Sequence, residues 1–470
     1  MTKDLTQGRP LGLILGFAIP VLLGMLFQQF YNLVDTMIVG KILGPDALAA
    51  VGSTGSLNFM ILGFCNGVCT GFAIPMSQAF GARDENALKK HIGNCLWLCL
   101  VFAAVMAVAT GLLCKPILRL MKTPADILED AYRYIVIIFW GIPVTYLYNM
   151  LSGMIRAVGD SKTPVLFLAL ASILNIFLDV VLITIIPMGV AGAATATVIA
   201  QAVSGIGCLF YIKKKFPILK PAGPQWRPDK RYALKLCAMG IPMGLQYSVT
   251  AIGSVILQSA VNSLGTLYVA SVTTGSKLCL IFCCPFDALG ATVATYGGQN
   301  IGAGKVNRIR EGVKVCMTLG SVYSLLAFGL FFFAGDRLAL LFVDVENAQI
   351  IANARLFLVC NSLFYIPLAA VNVYRFVIQG IGYSQVAILA GVFEMAARAA
   401  VGLIFVPRIG FQAACIASPA AWIAADLFLI PTYLYCMKKL SLKMAAYADQ
   451  EECRTAKVLP AEGRLRPRRP

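Results

Sequence analysis

Apolar residues run through this chain in long blocks, with polar residues gathered into short intervals between them. A helix needs about 20 apolar residues to cross a hydrocarbon core roughly 30 Å thick. Breaking the chain at charged and Gly/Pro-rich clusters gives twelve such runs, at approximately 11–39, 52–80, 92–114, 131–155, 164–186, 189–211, 233–263, 269–300, 313–335, 351–378, 384–406 and 411–436. The first run, LGLILGFAIPVLLGMLFQQFYNLVD starting at Leu11, continues without a small-residue cleavage site, so it reads as a retained span.

The intervals between runs repeat. SQAFGARDENALKK, starting at Ser77, aligns with GQNIGAGKVNRIRE, starting at Gly298, so that Gln78 matches Gln299, Gly81 matches Gly302 and Asn86 matches Asn307. Nearly the same offset pairs Pro20 with Pro242, Leu43-Gly44 with Leu264-Gly265, Pro143 with Pro367, Gly159 with Gly382 and Gly189 with Gly410. Six spans per half give both halves the same orientation, which makes them parallel repeats about an axis along the membrane normal. The predicted fold is therefore an all-α integral membrane protein of twelve transmembrane helices in two six-helix lobes. Its parts are an N-terminal lobe (1–212), a basic, proline-rich linker (213–231), a C-terminal lobe (232–437) and a polar tail (438–470) expected to be disordered. A two-lobed helical body suits a transporter with its substrate site between the lobes.

Composition agrees, with 59% hydrophobic and only 13% charged residues, against roughly 25% charged in a soluble domain. The net charge of +17 matters by location. With the spans above, 28 Lys and Arg fall on the side of the termini and linker and 8 on the other. Both termini are accordingly expected in the cytoplasm, with the body in the plasma membrane, and a nucleic-acid partner is not expected. The fifteen cysteines lie mostly singly in apolar runs and do not assemble a metal set with the lone His91. No structural disulfide and no resident cofactor are expected, and the protein is taken as a monomer in the bilayer.

Against this background a few polar residues stand out. SILNIFLDVVLI, starting at Ser172, places Asn175 and Asp179 four residues apart, one above the other on a helix face. In the first span Gln28, Tyr31 or Asn32, and Asp35 form a polar stripe expected to look into the bundle, toward Asn175 and Asp179. No Lys or Arg lies within these spans. An ionised Asp at the centre of a membrane helix costs about 2.5–3.5 kcal/mol even on the mildest scale. It avoids that cost by taking up a proton, by binding a metal cation or by facing water, or it hydrogen-bonds to a neighbouring helix. Thr197, in GAATATVIAQ, is placed to donate to a carboxylate or to ligate Na⁺, although taken alone a threonine among small residues more often serves helix packing. Pro20 removes a backbone hydrogen bond inside the first span, which makes it a candidate hinge. Met37 and neighbouring Met and aromatic residues suit an adaptable cavity wall, although each singly also fits a lipid-facing or core position.

The C-terminal half balances its intramembrane charges: Asp287, Glu394 and Asp426 against Lys277, Arg375 and Arg398. Glu394 and Arg398 have ion-pair spacing. Buried mutual neutralisation is the expectation for that lobe.

The segment QQFYNLVDTMIVGKILGPDALAAVG starting at Gln28, the paired SQAFGA and GQNIGAG loops, RAVGDSKTP starting at Arg156 and the 6 + 6 layout resemble the multidrug and toxic compound extrusion (MATE) transporters. The resemblance spans all but about the last thirty residues. It implies export of mostly cationic, amphipathic compounds, driven by inward flow of H⁺ or Na⁺ through alternating access. One bacterial branch couples through an aspartate on the first helix, an Asn-x-x-x-Asp pair on the fifth and a threonine on the sixth, with a proline fifteen residues before the first aspartate. Here these positions are Asp35, Asn175, Asp179, Thr197 and Pro20. Gln28, Tyr31, Asn32 and Met37 are the accompanying substrate-cavity candidates. The other branch binds cations through acids on the seventh and tenth helices, where this chain has Gln246, Gln258 and Arg375.

The alternative in the same superfamily is a lipid-linked oligosaccharide flippase, whose members typically carry fourteen spans and a basic cavity. An intramembrane enzyme is disfavoured by a single histidine and by the absence of HExxH or DDxxD runs, and a channel by the lack of a repeated filter.

Overall fold

The computed structural model describes residues 3–121, 123–343 and 347–458, with side chains up to residue 444. Its regular structure is helical throughout the described residues. The N-terminal half holds α1 (Pro10–Leu43), α2 (Pro45–Ser53), α3 (Gly55–Gly81), α4 (Glu85–Leu120), α5 (Leu128–Trp140), α6 (Ile142–Ala157), α7 (Lys162–Val180) and α8 (Val190–Lys215). The C-terminal half holds α9 (Lys230–Asn262), α10 (Thr266–Gly302), α11 (Val306–Ala339), α12 (Ala348–Leu363), α13 (Tyr365–Gly380), α14 (Ser384–Ala400), α15 (Val406–Ile409) and α16 (Phe411–Val458).

Among the described residues ten helical segments are long and apolar enough to cross a membrane, and two bent pairs bring the number to twelve. Those pairs are α5 with α6, bent by 46°, and α12 with α13, bent by 51°. They correspond to the fourth and tenth predicted runs. The bend has a local cause. Pro143 stands second in α6 and Pro367 third in α13, within the first turn where a missing N–H is harmless, but the ring would clash with a carbonyl of a continuing helix.

The repeat is visible in backbone irregularities as well. Five-residue π-helical segments, Val181–Ile185 and Val401–Phe405, follow α7 and α14. Gly44 (φ 90°) and Gly265 (φ 104°) make the same left-handed turn before α2 and α10. Helices outrun the predicted spans where flanking residues are good helix formers. In α4, which starts seven residues before its predicted run, Asp84 caps the N-terminus by accepting from the Ala87 N–H at 2.8 Å.

The N-lobe core gathers around Phe72, Phe139 and Tyr146, and the C-lobe core around Phe286, Phe331 and Tyr365. The lobes meet where α3 packs on α9. A Cβ on Gly71 would fall 2.5 Å from Gly240 Cα, and one on Gly67 2.6 Å from the Met243 carbonyl oxygen, so the backbones touch through glycine as membrane helices do. Along the same faces, away from the linker, Ser56, Phe59, Ile252 and Val255 are exposed. The lobes are thus closed at the linker end.

Two termini of the predicted parts differ in structure. The linker is pinned to α4: Trp97 Nε1 donates to the Trp226 carbonyl at 3.0 Å, and the Asp229 N–H to Asn94 Oδ1 at 2.8 Å. The tail expected to be disordered from 438 instead continues α16 to Val458. Its Ala, Lys, Glu and Met residues favour helix, and the first breaker is Pro460. Residues 459–470 of that tail lie outside the described residues.

Candidate cation and substrate site

The last turns of α7, just before its π-helical segment, carry Asn175 and Asp179 into the N-lobe interior, where they are 2% and 0% exposed. α1 packs along α7 and brings Asp35, 8% exposed, to the same place. The two carboxyl groups lie within electrostatic range of each other. That proximity is favourable only when one of the pair carries a proton or a cation lies between them. From α8, Thr197 Oγ1 accepts from Asn175 Nδ2 at 3.4 Å.

Among the described residues no N–H or O–H donor reaches Asp35 Oδ1, either oxygen of Asp179, or Asn175 Oδ1. Buried oxygens without donors are rare in proteins because each forfeits its hydration. Here four of them lie on two helices packed together, α1 and α7. Carboxylate, amide and hydroxyl oxygens are hard donors, suited to H⁺ or an alkali cation rather than to a thiophilic metal.

The sequence-predicted residues divide into two groups. Asp35, Asn175, Asp179 and Thr197 come together, and half-buried Tyr31 lies within electrostatic range of both acids. Gln28, Asn32 and Met37 are exposed instead. Pro20 is half-buried inside an unbroken α1. The site also includes Tyr134 of α5, buried near both acids, which sequence reasoning missed. The spacing of Ala131, Tyr134, Ile135 and Ile138 marks the inward face of α5. Only the packing of α5 on α8 and α2 turns that face toward the acids.

In the C-lobe, Glu394 (3% exposed) lies between two arginines. Arg375 of α13 donates to Glu394 Oε1, and Arg398 Nη1 lies 3.5 Å from Glu394 Oε2. Asp287 and Asp426 are in electrostatic range of Arg375. Lys277 does not join this network as the charge balance suggested: it is exposed, over the Phe342 ring at 5.8 Å. Ten residues separate it from Asp287, about 15 Å along α10 at 1.5 Å per residue. Gln246 and Gln258 of α9 bond to Gln379 at 2.6 Å and Asn262 at 2.9 Å.

Comparison with known proteins agrees with this architecture. YpnP of Bacillus subtilis (strain 168), a probable multidrug resistance protein, is 32% identical over 380 residues, 80% of this chain and 83% of its own. YoeA of the same organism, also a probable multidrug resistance protein, is 29% identical over 344 residues, 72% of this chain and 74% of its own. A solved outward-facing conformation of a multidrug resistance MATE family transporter of the MOP superfamily superimposes with a TM-score of 0.87. It covers 94% of this chain and 99% of its own at 22% identity, a likeness of fold. The MatE family model matches residues 20–181 and 242–404, one stretch in each six-helix half, and the chain belongs to that family.

Proposed function

We propose that the protein is a secondary active exporter of small organic, mostly cationic and amphipathic compounds, exchanging them for H⁺ or Na⁺ by alternating access. The observation that carries this reading is the buried Asp35–Asp179 pair, three of whose four carboxylate oxygens are buried with no donor among the described residues. An unpaired acid pair in a membrane lobe is costly unless a mobile cation completes it. A cation that completes it neutralises the lobe interior, and an organic cation competes for the same negative field. Exchange then follows from differential binding: the lobes reorient with the site filled, and not when it is empty and charged.

In this reading Asp35, Asn175, Asp179 and Thr197 hold the coupling ion. Tyr31, with Gln28, Asn32 and Met37 along α1, faces the substrate, and Pro20 gives α1 its hinge. The multidrug resistance naming of the relatives supports small organic substrates. The excess of basic residues at the linker end supports a plasma-membrane orientation with that end and both termini in the cytoplasm. With the linker end shut by backbone contact, the conformation is read as outward-facing.

The test is transport by purified protein in liposomes, with H⁺ and Na⁺ gradients imposed separately. Drug movement that responds to one of the gradients, and that drives reciprocal ion flux, is the expected result. Drug flux indifferent to both gradients overturns the reading.

A further inference from the structure

The linker end, where the lobes are shut, holds a pair of contacts that repeat across the internal symmetry. Gln78 of α3 donates through Nε2 to the carbonyl of Gly380, at the end of α13 in the other lobe, at 3.0 Å. Gln299, its equivalent on α10, donates through Nε2 to the carbonyl of Ala157, at the end of α6, at 2.9 Å. Each acceptor is a helix-terminal carbonyl, which has no partner within its own helix and is open to a donor from outside. The helix ends themselves touch. A Cβ on Gly81 would fall 1.9 Å from the Gln299 carbonyl oxygen, and one on Gly302 1.9 Å from that of Gln78. No residue but glycine fits either position while this end is shut.

Residues 3–8 break the symmetry. They cross from one lobe to the other on the Gln299 side. The Lys3 N–H donates to the Val158 carbonyl at 3.0 Å, and the Leu5 N–H to Gln299 Oε1 at 2.9 Å. Asn300 Nδ2 donates to the Leu5 carbonyl at 3.3 Å, Lys305 Nζ to that of Thr6 at 2.9 Å, and Arg308 Nη2 to that of Gly8 at 2.9 Å. Leu5 and Gln299 are fully buried beneath this strap, whereas Gln78 is half-buried.

We propose that Gln78 and Gln299 are the positioning residues of the inner gate: a two-fold clasp, reinforced on one side by the N-terminal strap, that holds the linker end shut while the other end is open. The proposal rests on the alternating-access reading above. The clasp bonds join opposite lobes, so they exist only with this end closed and bias the equilibrium by their full net worth. A net hydrogen bond corresponds to about a five-fold change in an equilibrium, and two independent ones to about 25-fold. Gln299 carries the larger share, because its loss also strands the Leu5 N–H.

The experiment measures the distance between spin labels at Glu85 and Asn307, exposed residues at the starts of α4 and α11. Attachment through non-canonical amino acids avoids the native cysteines, and neither drug nor ion gradient is present. The parent should show mainly the short distance. Gln78→Ala should raise the open-to-shut ratio about five-fold and Gln299→Ala more. Leu5→Pro, which removes the strap's N–H together with a buried leucine side chain, should move it the same way. Gly302→Ala should abolish the short distance. Melting in detergent should stay near the parent value for Gln78→Ala, whose side chain lies outside both lobe cores, and fall for Leu5→Pro, which empties the place of a buried leucine. An unchanged distance distribution in a Gln78→Ala protein that melts like the parent overturns the proposal. A shifted distribution in a protein without ion-coupled flux would uphold the gate and refute the exchange reading.

Discussion

Replacing Glu394 with Gln removes the carboxylate between Arg375 and Arg398 without changing its shape. Both guanidinium groups are buried, and Arg375 Nε and Arg398 Nη1 already lack a hydrogen-bond partner among the described residues. Stranding a buried charge by removing its partner costs about 3–5 kcal/mol. Asp287 and Asp426 lie in range of Arg375 and recover part of that, so the lower end, about 3 kcal/mol, is the expected loss. The control is Asp179→Asn, equally buried and equally isosteric. No donor loses a partner there, since neither Asp179 oxygen has one, and the change removes an acid that costs about 2.5–3.5 kcal/mol when ionised in a membrane helix. Its effect on stability should lie between zero and a small gain. Membrane-inserted yield and the melting midpoint in detergent, measured side by side with drug efflux, separate the two. Glu394→Gln should melt several degrees lower and insert poorly. Asp179→Asn should insert normally and fail to transport. Equal destabilisation by both substitutions would refute the contrast between lobes. So would a Glu394→Gln protein of parental stability that no longer transports, which would make the C-lobe cluster functional.

The Asp35→Asn, Asp179→Asn double variant should lose gradient-driven efflux entirely while retaining its fold, and full coupled transport in liposomes would sink the exchange mechanism. Thr197→Val keeps the shape of the side chain but removes an oxygen. If Na⁺ is the coupling ion it should raise the Na⁺ concentration for half-maximal transport several-fold, and if H⁺ is, it should leave the pH dependence nearly unchanged. A cysteine replacing exposed Gly223 in the linker should resist impermeant maleimide in intact cells, whereas one at exposed Asp126 should react; the reverse pattern inverts the orientation. In a substrate panel lipophilic cations should be exported in preference to organic anions of similar size, and equal rates would count against a negatively charged cavity.

Much of this was legible from the chain because membrane helices leave coarse signals. Run length gave twelve spans, and the spacing of Gln78 and Gln299, or of Gly44 and Gly265, gave the repeat. The acids were legible for the same reason: a lone Asp179 in SILNIFLDVVLI has no innocuous place in lipid. What the sequence concealed depends on packing between elements distant in the chain. Tyr134 looks like any inward-facing aromatic until α5 is docked, and Lys277 balances Asp287 on paper though a helical stretch of about 15 Å separates them. Gln28, Asn32 and Met37 share the stripe with Asp35, yet they are exposed while Asp35 is buried. A stripe fixes direction around the helix but not depth along it.

The two halves agree wherever the backbone is constrained and differ wherever charge is involved. Gly81 and Gly302 block the same approach, α6 and α13 end on the same accepted carbonyl, and both π-helical segments recur. The residues one repeat on from Asp35, Ile256 and Leu257, are apolar, as are those one repeat on from Asp179, Ala400 to Gly402. The C-lobe places its acids elsewhere and pairs Glu394 with fixed arginines. A fixed base satisfies an acid permanently, whereas a mobile cation satisfies it only while bound. On a scaffold whose repeated contacts serve closure, the proposed coupling therefore belongs to the lobe that lacks internal counter-charges, and the other lobe supplies a rigid body for it to move against.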